Sequence, residues 1–414
     1  MLRVPISPRA DWRKRVEAQG LLFHTIDDEA YWDESAYYLF EADEIDQIER
    51  ATIALDAMCL EAVDSIIEDG RLEDLGIPAP FHDFVARSWE RDEHTIYGRF
   101  DLAFDGSGPP RLLEYNADTP TALLEAAVIQ WFWARDIVGP AGLGGSGPID
   151  QFNSLHERLI EAWGRVRREL GGRAVFAAVG DAVEDVMTAT YLRDTAMQGG
   201  MQTEALDVSQ IGWHAGRRCF TDLRERPIEV LFKLYPWEWM LREAFGRHLP
   251  FAATRWLEPP WKMILSSKAI LPILSDMFPD SPFLLRADFE PIGPTQVIKP
   301  IHSREGANVR IVEQGRVVAE TGGDYDDGPK VYQEYCPLPD FDGRRPVIGS
   351  WMVNGHACGM GIREDDGPIT GNASRFLPHL SRRSPGIKPP GGSPKGASAG
   401  GPNTDPLYDR WIDP

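Results

Sequence analysis

The 414-residue sequence is 43% hydrophobic and 26% charged, with a formal net charge of −21, a composition that can build two or three packed subdomains. The acidity argues against nonspecific nucleic-acid binding, which needs a basic footprint, and no apolar run approaches the roughly 20 residues that span a bilayer. The opening MLRVPISPRADWRKR has no apolar signal core, and the four cysteines, Cys59, Cys219, Cys336 and Cys358, form no CxxC pair; they read as free thiols in a reducing cytoplasm. A net negative field would suit a cationic small substrate, although acidic surfaces also serve solubility.

Residues 1–95 read as mainly helical, with apolar positions recurring through Asp43–Asp69 until Gly70. Next come Tyr97–Phe104 (YGRFDLAF) and Arg111–Thr119 (RLLEYNADT), joined by the turn-forming DGSGPP. Thr119-Pro120 reads as an N-cap and first helical residue of a helix running to about Ile137. Beyond the Gly/Pro-rich loop Gly139–Gly147, helices (Ser154–Leu170, Val183–Met197) alternate with strands (Ala174–Val179, Gln202–Leu206, Glu229–Leu234), which predicts an α/β layer. Pro236–Phe245 and Ser267–Phe278 read as helices; Gln296–Ile301, Val309–Glu313, Arg316–Glu320, Lys330–Tyr335 and Val347–Val353 read as strands. Residues 382–414 are Pro, Gly and Ser with little apolar content and should lack stable order.

Side chains on a strand alternate faces. Arg99 and Asp101 therefore share one face, and Glu114 and Asn116 share one face of the partner, with Leu113 and Tyr115 opposed. A hairpin would gather an arginine, two carboxylates and a carboxamide. Carboxylate and amide oxygens are hard ligands suited to magnesium, and an arginine beside them can hold a phosphate. The competing reading is a solvated sheet face. Lys299 ends a strand beside a loop of small residues, as phosphate binding requires, yet the Walker A and Rossmann glycine patterns are both absent. Lys268 opens the helix SSKAILPIL, and His302 is a loop histidine that reads as structural or solvated.

The stretches YGRFD, LLEYNADTPTALLEAAVIQW, VEDVMTATYLRDTAMQ, FKLYPWEWM, EPPWKMILSSKAILPIL, VIKPIHSREGANV, VYQEY and GSWMVNGHACGMGIREDDGPITGNASRF resemble the synthetase domain of the glutathionylspermidine synthase family, including its stand-alone acid–amine ligase type, from about residue 10 to 380. The resemblance implies an ATP-grasp fold and an ATP-dependent ligase that activates a carboxylate as its acyl phosphate and captures it with an amine. It implies ATP and magnesium, with two ions expected, small-molecule acid and amine substrates, and neither nucleic acid nor membrane as partner. Residues 1–381 would form the synthetase unit, divided into a mainly helical part (1–95), an α/β substrate and metal part (96–260) and an ATP-grasp part (261–381). The family's amidase region has no counterpart in the sequence, so no hydrolase activity is expected.

The same resemblance implies roles for individual residues. Asp101, Glu114 and Asn116 match the magnesium ligands, with Glu114 between two ions. Arg99 matches the arginine at the transferring phosphoryl group, and Arg363 resembles a second. Lys268 and Lys299 match ATP-binding lysines; Glu305, Gly306 and Ala307 match the loop over the phosphates; Gln333, Glu334 and Tyr335 match the adenine-side hinge. Thr119, Glu184 and Asp185 fall at substrate contacts. The chain departs from the family pattern at Glu305, where a smaller residue is expected, and at Leu234, where a polar contact to the peptide is expected. Both departures bear on which acid is used. Two rival readings are a nucleotide-binding regulatory protein without catalysis and a polyamine-binding module without ATP use.

Overall fold

The computed structural model describes residues 1–26, 28–139, 142–143, 148–325 and 328–383. Residues 384–414 of the Pro/Gly-rich tail lie outside the described residues, as does most of the 139–147 loop.

The described residues form four sheets of four or five strands. A five-stranded antiparallel sheet runs in the order Arg375–Leu377, His356–Asp365, Arg345–Val353, Tyr97–Ala103, Arg111–Asn116. A four-stranded parallel sheet orders Arg255–Leu257, Val230–Leu234, Arg173–Ala178 and Gln202–Asp207. A second five-stranded antiparallel sheet orders Ala287–Asp288, Lys330–Gln333, Gln296–Pro300, Arg310–Glu313 and Arg316–Glu320.

The long helix Ala42–Glu68 covers one face of the first sheet. Its apolar stripe buries Ile48, Leu55, Cys59, Val63 and Ile66 at the spacing expected of one helix face. Glu44 accepts the Glu41 backbone N–H at 2.8 Å to cap its start, and Gly70 leaves it at φ +67°. The Thr52 hydroxyl, buried in the stripe, meets the Ser350 hydroxyl at 2.6 Å, so neither is buried unpaired. On the sheet, Phe100 and Leu102 are fully buried and Phe100 stacks on Tyr115. A second core fills the space around the parallel sheet, where Trp163, Phe176 and Phe232 pack together.

Four expectations are corrected. The first forty residues carry one short helix, Trp12–Ala18, and otherwise strands: Leu2–Pro5 and Ala36–Phe40 join a sheet with His379–Arg382 and Ile149–Asp150. That pairing is non-local, so no short window encodes it. Order also extends past residue 381, because Arg382 pairs with Ile149 and Arg383 binds the Asp150 carboxylate at 2.9 Å. No helix starts at Pro120. Tertiary bonds take the groups that would cap it: Arg304 donates to the Thr119 hydroxyl (2.7 Å) and Arg99 to the Thr121 carbonyl (2.9 Å). Ala122 then turns left-handed (φ +64°), and the chain enters a π-helical turn, Glu125–Ile129, before Gln130–Val138. Finally, the Pro236–Phe245 helix shrinks to Trp237–Met240, since Gly246 folds back so tightly that a Cβ there would lie 2.5 Å from the Met240 carbonyl oxygen.

Candidate active site

The hairpin forms as expected. Arg99 lies opposite Asn116 and Asp101 opposite Glu114. A bulge follows, between Asp101 and Leu102, and it corrects one detail. The extra residue is Leu113, which faces the cleft instead of the core. The bulge also frees the Leu113 carbonyl, which accepts the Lys299 ammonium at 2.9 Å.

The polar groups interlock. Arg99 grips Asp101 through Nε (2.6 Å) and Nη2 (3.1 Å), a bidentate pair that holds its plane. Arg363, from the 356–365 strand, donates at 2.8 Å to Asp101 Oδ2, which Arg99 Nη2 also reaches. The Asn116 amide bridges Asp101 (3.3 Å) and Glu114 (3.1 Å). Glu114 completes the line with Lys268 at 2.9 Å. Burial would raise the Glu114 carboxyl, but Lys268 and Lys299 outweigh it and hold the group well below the usual carboxylate range.

Lys268 is not in a helical first turn. It sits between helices Lys262–Ser266 and Ile270–Met277, its N–H bonded to the Ile301 carbonyl (2.8 Å) and its ammonium to the Ser303 carbonyl (2.5 Å). Lys299 is buried, and its ammonium also binds Gln333 Oε1 at 2.7 Å. Gln333 in turn donates to the Leu112 carbonyl at 3.1 Å. Burial lowers the Lys299 ammonium to about 8 against the pull of Glu114.

Gln333, Glu334 and Tyr335 border the same cleft, next to an apolar slot of Val297, Val309, Ile311 and Leu338. Glu305 and Gly306 line it from the 303–308 loop; both are left-handed, at φ +53° and +70°. Gly306 lies against the Thr370 carbonyl so closely that a Cβ there would clash with it. Ala307 does not reach the cleft lining, and its N–H is spent on the Arg304 carbonyl at 2.8 Å.

The opposite wall is acidic. Glu184 and Asp185 begin the helix Val183–Gln198 and line the cleft with Thr119. Burial first, then Glu184 and Glu305, raise Asp185 to about 6. Burial and Glu184 raise Glu305 as well. Glu305 thus adds its charge to the Glu184–Asp185 pair.

Sequence reasoning missed Arg304, which spans the cleft from Thr119 to Glu238 (2.8 Å), and the buried pair Lys233–Asp118, which also anchors the Trp237 N–H at 3.0 Å. Arg304 lies inside the quoted loop and Asp118 inside the quoted hairpin segment, but no local spacing announces their partners. Tyr31 was missed too, being far from every motif.

The donor chemistry of Asp101, Glu114 and Asn116 fits magnesium: three oxygen-bearing side chains on facing positions, with two carboxylates now neutralised by Arg99, Arg363 and Lys268. Among the described residues no group of three or more His, Cys, Asp or Glu side chains could hold a metal, so the Asn116 amide is needed to make up the set.

Mixed α/β sheets around such a cleft define an ATP-grasp protein, and a solved structure agrees in fold. A glutathione synthetase-like effector of Globodera pallida aligns with a TM-score of 0.56 at 11% identity, covering 92% of this chain and 99% of that one. The chain belongs to the glutathionylspermidine synthase family: residues 3–382 match the profile described as glutathionylspermidine synthase preATP-grasp. A proposed acid–amine ligase of Haemophilus influenzae is 42% identical over 84% of this chain and 90% of its own length. Trypanothione synthetase of Crithidia fasciculata is 31% identical over 77% of this chain, and the bifunctional glutathionylspermidine synthetase/amidase of Escherichia coli is 27% identical over 83%. This chain spans 52% and 58% of the lengths of those two.

Proposed function

We propose that the protein is an ATP-dependent acid–amine ligase that joins a peptide-like carboxylate to an amine through an acyl phosphate. The observation that carries the reading is the meeting of Asp101 and Glu114 with Arg99, Arg363, Lys268 and Lys299 in one cleft. Attack of a carboxylate on the γ-phosphate of ATP brings like charges together, and four buried or half-buried cations offset that repulsion. When bound, magnesium would be held by Asp101, Glu114 and Asn116 and supply Lewis-acid charge at the phosphates.

The carboxylate oxygen bonds to the γ-phosphorus as the bond to ADP breaks. The amine nitrogen then bonds to the acyl carbon as the carbon–oxygen bond breaks, releasing phosphate. Arg99, fixed by Asp101 and the Thr121 carbonyl, is oriented for the transferring group. Lys299 and Lys268 bind the phosphates, and the apolar slot beside Gln333–Tyr335 takes the adenine. Glu184, Asp185 and Glu305 hold a cationic, spermidine-like amine. Leu234, fully buried at the cleft wall, offers the acid an apolar contact, so the acid resembles glutathione in class without being set as glutathione. The four free thiols suit a reducing cytoplasm.

A coupled assay tests the proposal. ADP release should depend jointly on Mg²⁺, a peptide-like acid and an amine, with the amide detected by mass. ADP formation without amine incorporation, across a broad panel, would make the protein an ATPase or kinase instead.

A further inference from the structure

Tyr31 reaches the cleft from the N-terminal segment and is held there by Phe23 and Phe376, its ring centroid 5.1 and 6.5 Å from theirs. Its hydroxyl donates to Glu125 Oε1 at 2.9 Å. Glu125 is 1% exposed and opens the π-helical turn, three residues after the left-handed Ala122. Such turns recur at functional sites, and nothing in the binding of acid, amine or nucleotide uses this pair.

Its surroundings place it between the two reacting partners. The charged groups facing Glu125 are Glu184 from the 183–198 helix and Arg99 from the hairpin; those facing Tyr31 are Glu125, Glu184 and Arg363. On one side is the carboxylate assigned to the amine, on the other the arginines assigned to the phosphoryl group.

We propose that Tyr31, backed by Glu125, takes the proton that the cationic amine must lose before it attacks the acyl phosphate; this rests on the ligase reading above. An N–H bond of the ammonium breaks as its proton passes to the phenolic oxygen, while the tyrosine's own proton passes to Glu125 Oε1. The nitrogen keeps the electron pair and becomes nucleophilic, Tyr31 is regenerated, and Glu125 becomes a neutral carboxylic acid that returns the proton to water after product release. Tyr31 touches the amine and Glu125 acts through it. Burial, then Glu184, raise Glu125 to about 7, which suits a group that gains and loses a proton near neutrality.

The test compares two nucleophiles with glutathione as the acid, or the best acid of the panel above. Spermidine arrives protonated. Hydroxylamine is uncharged at neutral pH and traps the acyl phosphate as a hydroxamate without needing the relay. In Tyr31→Phe and Glu125→Gln the ratio of spermidine amide to hydroxamate should fall about 10²-fold, with Glu125→Asp recovering part of it. The wild-type spermidine rate should steepen by about tenfold per pH unit below about 7, where Glu125 is already protonated, and the Glu125→Gln variant should show no break there. Equal loss of both products, or a break near pH 7 that survives in Glu125→Gln, overturns the proposal. No hydroxamate from the wild type with any acid overturns the ligase reading instead.

Discussion

Gly349 gives a sharp test of how Arg99 is positioned. It lies opposite Asp101 on the neighbouring strand, and a Cβ there would sit 2.7 Å from Arg99 Cδ and 3.3 Å from Cγ and Nε. Carbon atoms prefer about 3.5–4.0 Å, so Gly349→Ala must displace Arg99 by about 1 Å. The side chain cannot yield cheaply, being tied by two bonds to Asp101 (2.6 and 3.1 Å) and one to the Thr121 carbonyl (2.9 Å). A shift of that size stretches these bonds past their useful range. Overpacking of this kind costs about 1–3 kcal/mol in stability, and misplacing a reacting-site group by about 1 Å costs on the order of 10²-fold in rate. Gly349 is in a regular strand, so alanine imposes no backbone strain of its own. Steady-state ADP release at saturating ATP should show the loss in kcat, and a melting curve should show the protein still folded. A folded variant with the wild-type kcat would refute the claim that Arg99 works from this fixed geometry.

Lys299→Ala should abolish amine-dependent ADP release and weaken nucleotide binding by calorimetry; tight ATP binding by the variant would remove Lys299 from the phosphate site. Glu305→Gln should raise the KM for a polyamine by about tenfold, the value of one hydrogen bond to a charged group (~1.5 kcal/mol), and leave the KM for ATP unmoved. Lys233→Met strands the buried Asp118 carboxylate and should cost about 3–5 kcal/mol in urea unfolding, with Asp118→Asn in the same chain recovering part. His379 is fully buried, accepts the Phe152 N–H at Nε2 (3.2 Å) and donates from Nδ1 to Gln130 Oε1 (2.9 Å), so it must be neutral. Burial lowers it to about 3. Its folded value lies below its unfolded value of about 6.5, so the unfolded chain binds the extra proton in that window. The stability of the wild type relative to His379→Gln should therefore shrink by about 1.4 kcal/mol per pH unit as pH falls below about 6.5. Taking that difference matters, because Glu125 and Asp185, both raised, slope the other way.

Local chemistry accounts for what was readable in advance. The helix ending at Gly70 and the strand pair flanking DGSGPP follow from periodicity and turn residues, which act within a few positions. So does the sharing of faces by Arg99 with Asp101 and by Glu114 with Asn116. The assignment to an ATP-grasp family followed from long matching stretches, which the profile match over residues 3–382 bears out. What no window of sequence contains is partnership at a distance. Lys268 reaches Glu114, and Arg363 reaches Asp101 across 262 positions. The same non-local competition stopped a helix at Pro120, because Arg304 and Arg99 claim the oxygens of Thr119 and Thr121. The Leu113 bulge and the carbonyl it offers to Lys299 depend on the register between two strands and a third element. Tyr31 joins the site only because the N-terminal segment folds against Phe376. Residue types and alternation set which groups the hairpin could present; packing between elements set which cations and acids they meet, since electrostatic and hydrogen-bond energies act over a few ångströms of space whatever the separation along the chain.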